Sequence, residues 1–94
     1  MTECIHKKLG IHAELKDFSQ AQYETYHDEL FPFQGQPAAK TNGAVVRAAI
    51  KAGFLVGVDG EKVKDMKPSA VIWLTQEIHK HVIIVTTPPA DDPN

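Results

Sequence analysis

Reactive chemistry is scarce in this sequence. Its 94 residues include a single cysteine, Cys4, so no disulfide can close within the chain, and a reduced, cytosolic setting is the expectation. No apolar run approaches the roughly 20 residues of a membrane-spanning helix. The N-terminus lacks the apolar core of a signal peptide, so a soluble cytoplasmic protein is expected. Neither sign of charge prevails: 10 Lys and Arg face 12 Asp and Glu, for a net charge of -2. The lysines are scattered, and the concentrated basic surface typical of a nucleic-acid module is missing. The six glycines form neither a G-x-G-x-x-G nor a G-x-x-x-x-G-K-[ST] phosphate loop. The acids of "GVDGEKVKD" do not fall at the spacing of a calcium loop.

Five histidines invite a metal hypothesis, and Cys4, His6 and His12 lie close in sequence. Zinc takes thiolate and imidazole ligands, but no C-x-x-C or H-x-x-x-H pairing is present. His79 and His81 are two apart on an expected helix, about 200° around its axis, and so cannot share an ion. Glu77 and His81 stand one turn apart and read as a solvated contact. Ser19 reads as a helix cap and Ser69 as a first-turn residue, which leaves no serine for a nucleophile. No metal, no cofactor and no enzyme activity are expected.

What is present is an ordinary globular composition, 43% apolar and 23% charged. It implies one small domain over residues 1–87. The acidic, proline-rich tail 88–94 is expected to be extended or disordered. Near the N-terminus, Ile11, Ala13 and Leu15 alternate with His12, Glu14 and Lys16, the period of a half-buried strand. Ile5 and His6 are expected to form a second short strand, turning back at "KKLG". "FSQAQYETYHDEL" predicts a first helix. Ser19 caps it, Gln22 completes a capping box, and Phe18 staples onto Tyr23. Phe31-Pro32 ends it, and the loop that follows is expected to be the most flexible segment. "NGAVVRAAIKAG" predicts a second helix capped by Thr41 or Asn42 and stopped by Gly53. Its small residues Ala48, Ala49, Ala52 and Gly53 would let another helix approach. "VGVDGEKVKDM" reads as a connector with a turn at Asp59-Gly60, anchored by Val63 and Met66. Pro68 opens a third helix. The expected fold is mainly α (α+β): three helices with a short N-terminal β-strand or hairpin.

The third helix, "PSAVIWLTQEIHKHVIIV", has more apolar surface than one core face needs. At about 100° per residue, Val71, Leu74, Ile78, Val82 and Val85 form a core stripe. Trp73 falls nearly opposite, Ile84 shares its azimuth, and Ile72 and Ile83 lie on a flank with Gln76 and His79. Either the helix is central and covered on both sides, or Trp73 belongs to a partner surface, where tryptophan is a frequent anchor. The helix is also expected to be able to end near His81, since "VIIVTT" is β-branched and suits an extended chain.

The order of features resembles that of phage and prophage tail assembly chaperones. A brief β-segment ends in "AELKDFSQAQYETY". A second helix follows with an R-x-A-x-x-A-G-[FW] flavour, carried by Arg47, Ala49, Ala52, Gly53 and Phe54. A D-x-x-P element, Asp65 to Pro68, then introduces the last helix. These are packing and capping patterns that span roughly residues 5 to 89. The resemblance implies a non-enzymatic role in the bacterial host cytoplasm, binding tape measure or tail tube proteins through apolar patches, with a homo-oligomer plausible. The residues expected to bind a partner are Trp73, Ile72 and Ile84, with Phe31, Phe33 and Phe54 in second place unless they fold back over the core. The alternative is a small nucleic-acid-binding regulator using Lys40, Arg47 and Lys51 on and beside the second helix.

Overall fold

The structure is a computed structural model that describes residues 2–31 and 38–89. It opens with an antiparallel hairpin of β1 (Thr2–His6) and β2 (Ile11–Leu15), in which Cys4 sits opposite Ala13. A single turn of 3-10 helix, Lys7–Leu9, joins the strands. The His6 ring accepts the Leu9 N–H at 3.3 Å, and Gly10 closes the turn in the left-handed region at φ 70°. The alternation in the sequence is realised: Ile11, Ala13 and Leu15 are buried, as is Cys4 from β1, while His12 faces solvent.

A third strand completes the sheet in the order β1-β2-β3. β3 is only Leu55–Val56, pairing Leu55 with Leu15 and Val56 with Glu14. The backbone N–H of Lys16 adds a 2.7 Å bond to the Phe54 carbonyl. The connector expected over this stretch therefore begins as a strand. It continues as a 3-10 segment, Gly60–Asp65, opened by the Asp59 side chain accepting the Glu61 N–H. Val63 is buried and Met66 packs partly against the core, as the anchors of this segment.

Helix α1 (Gln20–Leu30) begins with the capping box: Ser19 Oγ accepts the Gln22 N–H at 3.2 Å, and Gln22 Oε1 accepts the Ser19 N–H at 2.7 Å. Phe18 and Tyr23 stack with ring centroids 5.9 Å apart, the expected staple. Helix α2 (Ala38–Ala52) starts upstream of Thr41 and Asn42, so neither residue is its cap. The Asn42 carbonyl is used instead by Thr75, whose hydroxyl donates to it at 3.2 Å and to Val71 at 2.9 Å, which settles a buried polar side chain. Gly53 ends α2 at φ 87°, with its N–H on the Ile50 carbonyl. Ala48 and Ala49 are fully buried where α2 passes between α1 and α3.

Helix α3 (Pro68–Thr86) has Pro68 in its first turn and does not stop at His81. Its β-branched end stays helical because Val82 is fully buried and because two hydroxyls turn back onto the helix. Thr86 donates to the Val82 carbonyl at 2.7 Å and Thr87 to that of Ile83 at 2.5 Å. Both are the i to i−4 back-bonds that threonine hydroxyls make on a helix. Ala70, Val71, Leu74, Ile78 and Val82 join residues of the sheet and of α1 and α2 in one buried cluster. The architecture is mainly α (α+β), three helices on a small N-terminal antiparallel sheet.

Candidate interaction surface

Two histidines of α3 fix how the helix is rolled. His79 Nε2–H donates to the Leu30 carbonyl at 2.7 Å, capping the C-terminus of α1 from another element. His81 Nε2–H donates to the Lys16 carbonyl at 2.7 Å, where the chain leaves β2. The two rings point to different carbonyls, as their spacing requires. His81 is buried beside Phe18 and Phe54, and its Nδ1 has no hydrogen-bond partner among the described residues. Among the described residues no group of three His, Cys, Asp or Glu side chains could hold a metal ion.

With α3 rolled this way, its isoleucines part company with its tryptophan. Trp73 is half-buried, packs against the core, and meets the His6 ring edge to face at 5.1 Å. It ties α3 to β1 and is covered from that side. Ile84, at the same azimuth, is 70% exposed, but Glu77 and Lys80 stand between the two and pair at 3.6 Å. The Trp73–Ile84 side is therefore divided by charge.

The neighbouring side is not. Ile72 and Ile83 are 45% and 60% exposed. They are three turns apart, about 16 Å along the axis. Gln76 and His79 lie between them, giving the spacing four, three, four of a helix–helix seam. Phe31, 38% exposed, lays its ring on His79 with centroids 5.1 Å apart and planes 11° apart. His27 touches the Phe31 ring at 5.3 Å. The result is a ridge that carries no carboxylate or ammonium: isoleucine, glutamine, a stacked phenylalanine–histidine pair, isoleucine.

Phe54 requires a correction. Only 1% exposed, it packs against Phe18 and His81 within the core and presents nothing to a partner. The glycine stop at Gly53 turns the chain inward at that point, so the apolar residue after it fills the core. Phe33 lies outside the described residues. Ile83, absent from the expected partner-binding residues, is a principal part of the ridge. The signal for it was the 20° offset between residues eleven apart on a helical wheel. Ile5, 47% exposed on edge strand β1, was also missed. It is the outward neighbour of buried Cys4, which strand alternation dictates.

The basic residues divide as well. Lys40 and Arg47 of α2 line a groove of about 570 Å³ together with Lys64, whereas Lys51 lies outside it. Burial pushes the Cys4 thiol above its ordinary range, and the Glu77 carboxylate pushes it the same way, with Lys80 opposing. No helix among the described residues is long and apolar enough to cross a membrane. Comparison with protein-family models, with curated proteins and with solved structures found no match.

Proposed function

We propose that this chain is a non-enzymatic assembly factor of the phage tail assembly chaperone kind. It acts in the host cytoplasm by covering apolar segments of tape measure or tail tube proteins until they assemble. The observation that carries the reading is the uncharged ridge of Ile72, Gln76, His79 with Phe31, and Ile83. A seam at this spacing accepts an amphipathic helix laid alongside it. A few exposed apolar anchors supply most of the affinity of such a contact. The phage assignment draws on the order of sequence features, from the "AELKDFSQAQYETY" segment to the Asp65–Pro68 element.

The test is binding of tape measure fragments by the purified protein at low and high salt, for wild type and for Ile72→Ser with Ile83→Ser. The reading expects salt-tolerant binding that the double substitution weakens at least about tenfold, consistent with two anchors of more than 1 kcal/mol each. Absence of binding to tape measure and tail tube fragments by a correctly folded wild type removes the assembly role. A second reading, a nucleic-acid-binding regulator, draws on Lys40 and Arg47 sharing one groove. Steeply salt-dependent DNA binding would favour it.

A further inference from the structure

The groove between α2, the 3-10 segment and the start of α3 shares Ile72 with the ridge but is otherwise a second surface, and it does not depend on the assembly reading. Its floor and far wall are Val63, Met66, Pro68, Val71 and Ile72. Its rim carries Lys40, Arg47 and Lys64, and among the described residues no carboxylate lines it. Among the described residues none of these three cations has an ion-pair partner, because the two pairs present are His27 with Asp28 and Lys80 with Glu77. Arg47 folds back over α2: a Cβ added to Gly43 would stand 3.1 Å from its Nη1. Gly43 thus gives the guanidinium room to lie along the groove wall.

Three cations with no ion-pair partner among the described residues, around an aliphatic floor on a chain whose net charge is -2, are a local reversal of the overall charge. We infer that this groove docks a short acidic segment of a partner protein, one that seats a large apolar side chain on Val63, Met66 and Val71 and sets carboxylates against Lys40, Arg47 and Lys64. The chemistry favours a peptide over other anions. Single-stranded nucleic acid is held on aromatic stacking platforms, and among the described residues none that lines the groove is aromatic. A duplex engages a longer run of phosphates than three cations can match. A small amphiphile is typically enclosed over most of its surface, whereas this site is a groove open to solvent. Methionine on the floor suits an apolar side chain of variable shape. An arginine at the wall can take a carboxylate through two parallel N–H···O bonds.

The experiment is an amide NMR titration with the peptide Asp-Asp-Leu-Phe-Asp-Asp. Its counterparts are Asn-Asn-Leu-Phe-Asn-Asn, laurate and a thymidine oligonucleotide. The inference expects saturable shifts at Arg47, Lys64 and Ile72 with the acidic peptide, and a loss of affinity of about tenfold or more in Arg47→Glu with Lys64→Glu. Both side chains are exposed, so the variant keeps the fold. Lys51→Glu, outside the groove, should bind like wild type. No shifts at millimolar acidic peptide, shifts mapping elsewhere, equal binding of the neutral peptide, or tighter binding of laurate or the oligonucleotide would each overturn it. So would concentration-dependent shifts of the same residues without any peptide, which would mark a second copy as the occupant.

Discussion

Cys4 and Gly57 show how much a single position can carry here. Cys4 is 2% exposed, and burial raises its thiol above the usual range. A folded-state pKa above the unfolded one means that the folded chain keeps a proton the unfolded chain gives up. The thiol's contribution is therefore intact at neutral pH and is lost as pH rises past the ordinary thiol value of about 8.5. Urea unfolding at neutral and alkaline pH should show wild type losing more stability over that interval than Cys4→Ala. A thiol reagent should label Cys4 only as the protein unfolds. Gly57 sits at φ 95°, and an added Cβ would stand 2.9 Å from the His12 carbonyl oxygen and 3.1 Å from the Ala13 Cα. Both neighbours are backbone of β2, so nothing flexible can give way. Gly57→Ala should cost about 1–3 kcal/mol from the strained backbone alone, read as a lower urea midpoint with an unchanged slope.

At the scale of elements, Gln22 does two jobs that its sequence context advertises only by half. Its Oε1 completes the capping box of α1, and its Nε2 donates to the Ala52 carbonyl at 2.5 Å, closing the C-terminus of α2. Glutamate fills the same capping-box position in general. Here, however, a carboxylate would face a carbonyl with no proton between them. Gln22→Glu should therefore destabilise by about 1–3 kcal/mol, the cost of an unmet polar contact, instead of being neutral. Because the folded state would favour the protonated acid, the loss should shrink as pH falls through the carboxyl range, a trend that thermal melts across pH would reveal. The box and the Phe18–Tyr23 staple were legible because they are local, set by side chains three to five residues apart. The start of α2 at Ala38 was not. Thr41 and Asn42 are good caps in isolation, but both lie inside α2, and the Asn42 carbonyl accepts from Thr75 of a helix far along the chain. The alternative end of α3 near His81 is not taken up for a related reason: β-branching disfavours helix locally, yet Val82 is fully buried and the helix runs on to Thr86.

For the molecule as a whole, Trp73 and the Ile72–Ile83 ridge make opposite predictions. Trp73→Ala removes a half-buried ring from the α3–β1 contact. It should lower stability by about 1–3 kcal/mol, below the 3–5 typical of a fully buried aromatic, while leaving solution mass and partner binding unchanged. Ile72→Ser with Ile83→Ser should leave the melting temperature nearly unchanged and alter association, as light scattering after size exclusion across a concentration series would report. The sequence by itself determined the class of fold, because strand alternation, capping residues and the Pro68 and Gly53 punctuation act over a few residues. It also determined that α3 carries surplus apolar surface. Only the tertiary structure decided which of those residues face out. Trp73 is half covered because β1 reaches α3 through His6, and Phe54 is buried because the chain after Gly53 bends into the core. The groove cations were brought together in the same way. Lys40 and Arg47 meet Lys64 only because the 3-10 segment packs back on α2, a contact between residues too far apart in sequence for any local period to reveal.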